Sequence, residues 1–185
     1  MNVVLISTYE LGHQPFGLAS PAAWLHAAGA RVTCLDLAVQ SFEPALVEDA
    51  GLVAFYVPMH TATRLAGPVI VQVRALNPAA HLCCYGLYAP VNEPFLRGLG
   101  IHTILGGEFE SGLESLYRRL AEVDGRRRTE DDSTLSSSVL RPPSASQPEP
   151  RISLARQAFL APDRSGLPAL TAYAQLSLAD GDQRT

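Results

Sequence analysis

Four short stretches hold most of the residues able to do chemistry, and each follows an apolar run. They are Thr8-Tyr9-Glu10-Leu11-Gly12-His13-Gln14-Pro15-Phe16-Gly17, Pro58-Met59-His60-Thr61, Gly86-Leu87-Tyr88-Ala89-Pro90 and Gly106-Gly107-Glu108-Phe109-Glu110. Their glycines let backbone approach a ligand closely, and their apolar and aromatic side chains outnumber their charges. Such a surface suits a large flat ligand better than a triphosphate. Neither GxGxxG nor GxxxxGK[ST] occurs, so a phosphate cradle is poorly supported. Glu108 and Glu110 could do acid/base work as a pair, but a helix N-terminus also favours acidic residues electrostatically. The three cysteines, Cys34, Cys83 and Cys84, give no disulfide framework. Cys83 and Cys84 are adjacent in an apolar run, so they point to opposite faces of a strand; that suits core packing rather than zinc or a cluster.

The elements that must position these stretches follow from the apolar pattern. Runs at Val3–Ser7, Val32–Leu37, Leu52–Val57, His81–Tyr85 and Thr103–Leu105 read as buried strands alternating with helices. Ser20-Pro21 looks like a helix start and Gly29 its end. Pro68–Leu76 reads as a short helix, as does a segment opening at Asn92-Glu93-Pro94. Ser111 and Glu114 have the capping-box spacing, and Leu113, Leu116, Tyr117, Leu120 and Val123 follow one helical face. Five βα units with right-handed crossovers predict a flavodoxin-like (Rossmann-like) α/β domain, three-layered and doubly wound on a five-stranded parallel sheet. Ligands bind such a sheet beyond the carboxyl ends of its strands, where all four stretches fall.

The expected domain covers residues 1–124. Residues 125–150, rich in Ser and Pro, read as a disordered linker, and 151–185 as a lead-in to a domain missing from this chain. With 185 residues, 47% hydrophobic and a net charge of −4, the chain can bury a core but offers no basic footprint for nucleic acid. Arg126-Arg127-Arg128 is neutralised by Glu130, Asp131 and Asp132. The opening run Met1–Ser7 is too short for a membrane span or a signal segment, so no membrane association and a cytoplasmic location are expected.

Gln14-Pro15-Phe16-Gly17-Leu18-Ala19-Ser20-Pro21-Ala22-Ala23-Trp24-Leu25, Tyr56–Arg64 and Leu105–Glu110 together resemble the cobalamin-binding domain of cobalamin-dependent radical S-adenosylmethionine (radical SAM) proteins. Pro162-Asp163-Arg164-Ser165-Gly166-Leu167-Pro168 resembles the lead-in to their radical barrel. The resemblance covers 1–124 well and returns weakly at 159–175. It implies a module that binds cobalamin and presents it to a radical SAM domain in cis, with the iron-sulfur cluster and S-adenosylmethionine confined to that absent domain. The cluster motif CxxxCxxC does not occur here, so no catalysis is expected of this chain alone. The intact enzyme would carry out methyl transfer or another radical rearrangement.

The mutase-type pattern DxHxxG, then SxL, then GG is only partly present. Aligning its first glycine with Gly17 puts Gly12 at the Asp position and Gln14 at the histidine, with Val57-Pro58-Met59 at SxL and Tyr85-Gly86 at GG. The resemblance therefore implies cobalamin held with its benzimidazole displaced and no histidine on cobalt. Ser7 and Thr8 would serve a slot for the displaced tail, with room left by Gly12 and Gly17. Leu11, Pro15, Phe16, Val57 and Met59 would cover the lower ring face, and Gly86, Leu87, Tyr88, Gly106 and Gly107 would lie against tail or ring edge. Pro58, His60 and Thr61 complete the expected contacts. His13 and His60 are open as to whether either ever touches cobalt, and no metal ligand is assigned. Two other classes share the fold: a receiver domain, which needs an Asp where strand three ends in Val57-Pro58, and a flavin carrier, which needs a phosphate loop that Thr8–Gly12 does not resemble.

Overall fold

The structure is a computed structural model, and it describes residues 1–131, 151–154, 156, 158–174, 176–177 and 183–184. Strands β1 (Asn2–Ser7), β2 (Arg31–Asp36), β3 (Ala50–Tyr56), β4 (His81–Tyr85), β5 (Thr103–Gly107) and β6 (Arg151–Ser153) form one sheet in the order β2-β1-β3-β4-β5-β6. All pairs in it are parallel. Helices α1 (Phe16–Ala27), α2 (Ala45–Glu48), α3 (His60–Leu76), α4 (Glu93–Gly98) and α5 (Glu110–Asp131) connect the strands, and α1 packs against α5. A two-residue ribbon, β7 (Leu176–Ser177) with β8 (Gln183–Arg184), lies outside the sheet.

Both faces of the sheet are buried, so its strands are continuous apolar runs rather than alternating ones. Val3, Leu5, Cys34, Leu52, Ala54, Cys83 and Tyr85 pack with Leu18, Leu25, Leu113 and Leu116 on one face. Val4, Ile6, Leu35, Val53, Phe55, Leu82, Cys84 and Ile104 pack with Ala66, Ile70, Val73 and Leu96 on the other. Cys83 and Cys84 therefore do lie on opposite faces, both wholly buried and free. The sheet order reverses between β1 and β3, which places the ligand crevice of an open α/β sheet above those strands.

Four element readings are corrected. The sheet has six strands rather than five, because Arg151–Ser153 pairs with Leu105–Gly107 at its edge. Helix α1 starts at Phe16, so Ser20 and Pro21 lie inside it; α3 starts eight residues earlier than Pro68, which it accommodates. Helix α5 starts at Glu110, so Ser111 is inside it and not its cap, and it runs on to Asp131, making 125–131 of the expected linker helical. The rest of that linker, 132–150, lies outside the described residues. No described helix is long and apolar enough to cross a membrane.

Candidate functional site

The carboxyl ends of β1, β3, β4 and β5 gather the predicted loops on one edge. A row on the α1/α5 face runs across this edge from β2 to β5, where Asp36, Ser7, Tyr56, Tyr85 and Leu105 are neighbours in register. Tyr56, Tyr85 and Phe109 make an aromatic cluster with centroids 5.0–5.9 Å apart. Pro21 has no N–H, which leaves the Gly17 carbonyl one turn earlier without its helical donor. The buried Tyr85 hydroxyl takes that place, donating to Gly17 O at 2.8 Å. Ser20, also inside α1, donates to Glu110 Oε1 at 2.8 Å and ties α1 to α5.

The predicted residues divide into three groups. Leu11, Phe16 and Leu87 stand out of the edge, 61%, 40% and 71% exposed, and His60, Thr61 and Gly107 are exposed beside them. Leu11 has a left-handed backbone (φ 53°), a conformation that costs a β-carbon residue about 1 kcal/mol and that recurs at binding loops. Pro58, Met59 and Tyr88 are half-buried, while Ser7, Thr8, Pro15, Gly17, Val57, Gly86 and Gly106 are buried. Val57 is core rather than ring cover, and Thr8 donates its hydroxyl to Ala62 O in α3 at 2.9 Å.

The glycines make close approaches, but to the protein itself. A β-carbon on Gly17 would lie 2.2 Å from the Tyr56 ring, and one on Gly106 would lie 2.4 Å from Pro90. On Gly107 it would meet Ser153 O at 2.2 Å, and on Gly86 it would meet Val57 O at 3.1 Å. Gly12 faces Ala174. Those at Gly107 and Gly12 arise because β6 and the segment 158–174 come back to this edge.

That segment is a strap across the β1–α1 side. Ala174 N donates to Gly12 O at 2.9 Å, Gln14 Nε2 donates to Pro168 O at 2.9 Å, and Arg164 donates to Gln14 Oε1. Asp163 N donates to Ala19 O, and its carboxylate pairs with His26 at 2.8 Å. Tyr173 donates its hydroxyl to Asp36 Oδ2 at 2.9 Å, and Phe159 stacks on Phe16. Gln14, the residue aligned with a cobalt ligand, is thus held by the strap through both ends of its amide. Between strap and helices lies a cavity of about 290 Å³ lined by Phe16, Ser20, Trp24, Glu110 and Phe159. A larger one, about 790 Å³, opens at the opposite, amino end of the sheet beside His81 and His102.

Several functional-looking groups carry no sequence signal of their own. Burial, then the charge of Asp36, raises the Glu10 pKa from 4.5 to about 7. Burial also raises Asp36, against hydrogen bonds from Ala38 and Tyr173 that lower it. Tyr56 is raised by burial and by Glu10 and Glu110. Two buried polar atoms, Ser7 Oγ and Glu10 Oε2, have no hydrogen-bond partner. Nothing in a run such as Leu35-Asp36-Leu37 announces this cluster, since it forms only when β2, β1 and the strap meet.

No family model and no curated protein matches the chain. Among solved structures it is similar to the flavodoxin-like domain of a protein from Synechococcus sp., at 14% identity and a TM-score of 0.51 over 70% of this chain and 99% of that one. At that identity the likeness speaks for architecture alone, and with the parallel sheet and alternating helices it makes this chain a flavodoxin-like α/β protein.

Proposed function

We propose that the chain is a cobalamin-binding module that presents its cofactor to a radical SAM domain. The observation that carries this reading is the rim of Leu11, Phe16 and Leu87, three large apolar side chains exposed on the carboxyl-end loops of a flavodoxin-like sheet. Exposed apolar groups gathered at a ligand edge mark a binding surface.

The fit is uneven. The rim suits the face of a corrin ring, but the slot expected beside Gly17 for a displaced benzimidazole is filled by the Tyr56 ring, and Thr8 is already engaged with Ala62. Tyr56 would have to move for the displaced tail that the sequence resemblance implies to lie beside Gly17. When bound, the cofactor supplies a cobalt centre for methyl transfer or radical rearrangement; Leu11, Phe16 and Leu87 hold and shield its face.

Titration of the chain with cobalamin and, separately, with flavin mononucleotide, followed by visible absorption, tests this. One cobalamin bound per chain, weakened about tenfold or more by Leu87→Asp or Phe16→Asp, is the expected result. Failure to bind cobalamin, or binding of the flavin instead, overturns it.

A further inference from the structure

The two unpartnered buried polar atoms among the described residues both belong to the β1 end. Ser7 is wholly buried. Its side chain shares the α1/α5 face with Leu5 two residues earlier, and its register neighbours on that face are Asp36 and Tyr56. Glu10, three residues on, stands near enough for the charge of Asp36 to act on it and for its own to act on Tyr56, and its Oε2 is the second orphan. Buried hydroxyls and carboxylate oxygens almost always have partners, so a pair without them beside another buried carboxylate calls for a bound group.

The chemistry of that group follows from the donors. All are oxygens, with no imidazole or thiolate, which excludes the softer transition metals and selects a hard cation. Two desolvated carboxylates are best balanced by a double positive charge. Asp36 already accepts from Ala38 N at 3.1 Å and Tyr173 Oη at 2.9 Å, which fixes its orientation and leaves each oxygen a second lone pair. No three His, Cys, Asp or Glu side chains come together among the described residues, so water must fill the remaining positions. Magnesium, which keeps several waters and needs few carboxylates, matches this set better than calcium.

We infer that the crevice at the end of β1 binds a magnesium ion between the carboxylates of Glu10 and Asp36, with the Ser7 hydroxyl as a third oxygen. This site is separate from the apolar rim and stands whether or not cobalamin binds there. Bound metal also draws the strap down, since Tyr173 holds one of the carboxylates.

The full chain, stripped with chelator and titrated at neutral pH with magnesium chloride, then calcium chloride, is followed by calorimetry and thermal unfolding. Expected is a single saturable site, tighter for magnesium, that raises the Tm. Glu10→Gln and Asp36→Asn weaken it about tenfold or more while leaving the fold's circular dichroism unchanged, and Ser7→Ala weakens it less. Glu10→Gln removes a buried charge, so loss of binding in that variant is not loss of folding. Absence of heat and of a Tm shift with either metal, as when ordered water alone serves the two atoms, overturns the site. Equal binding by the wild type and Glu10→Gln does so too.

Discussion

Gly17→Ala tests whether the space beside the β1–α1 loop belongs to the protein or to a ligand. A β-carbon there would lie 2.2–2.4 Å from three atoms of the Tyr56 ring. The ring cannot retreat inward, because Tyr85 and Phe109 stand 5.5 and 5.9 Å away, centroid to centroid. It must swing out of the cluster, which loses its packing and costs about 2–3 kcal/mol. For a chain of this size that is a Tm lower by roughly 5–10 °C. Tyr56→Ala removes the obstacle. In that background Gly17→Ala should change sign and stabilise by about 0.5–1 kcal/mol, since alanine is the better helix former. Urea unfolding of the four proteins of the cycle, read by circular dichroism, gives both values. A Gly17→Ala cost that is negligible in the wild type, or the same with and without Tyr56, would refute the reasoning. The same cycle bears on the cofactor. Paramagnetic resonance of the cob(II)alamin complex, in the wild type and in Tyr56→Ala, reads the tail: nitrogen splitting lost only in Tyr56→Ala would show that the ring is what fills the slot.

Three further outcomes are expected. Glu10 has a folded pKa of about 7 against 4.5 unfolded, so the folded state holds its proton more tightly and stability falls as pH rises between those values. In chelator, Glu10→Gln should therefore exceed the wild type by about 1–3 kcal/mol above pH 7, the full shift being discounted for partial exposure, and match it below 4.5. Tyr85→Phe strands the Gly17 carbonyl and should cost about 1–3 kcal/mol in urea, less in a Pro21→Ala background that restores a helical N–H. Leu11→Gly should raise stability by about 1 kcal/mol by relieving the left-handed backbone, while thermal unfolding with cobalamin present gains less than in the wild type.

The parallel sheet was legible because both its faces are covered, which makes its strands unbroken apolar runs such as Val3-Val4-Leu5-Ile6. The loops at its carboxyl edge followed from topology. Helix starts were harder to read. Pro21 and Pro68 look like first-turn residues by type, yet both sit within longer helices, one of them compensated by Tyr85 from a distant strand. Glycine was legible as close approach but not as approach to what: Gly17 and Gly107 face Tyr56 and Ser153. Three-residue β6 falls below any periodicity signal, and the Glu10, Asp36 and Ser7 cluster joins residues that no local pattern connects.

The strap has a consequence for how the chain is made. Its bonds close over 154 residues from Gln14 to Pro168 and over 137 from Asp36 to Tyr173. Contacts so distant in sequence form late, after the local βα units have assembled. During synthesis the strands from β1 to β5 emerge and pair while residues 158–174 are still untranslated, so the β1–α1 loop spends that interval uncovered, with Asp36 lacking its tyrosine and Gln14 its carbonyl partner. The crevice is therefore widest on the ribosome, and a cofactor or ion entering then would be closed in when residues 158–174 arrive.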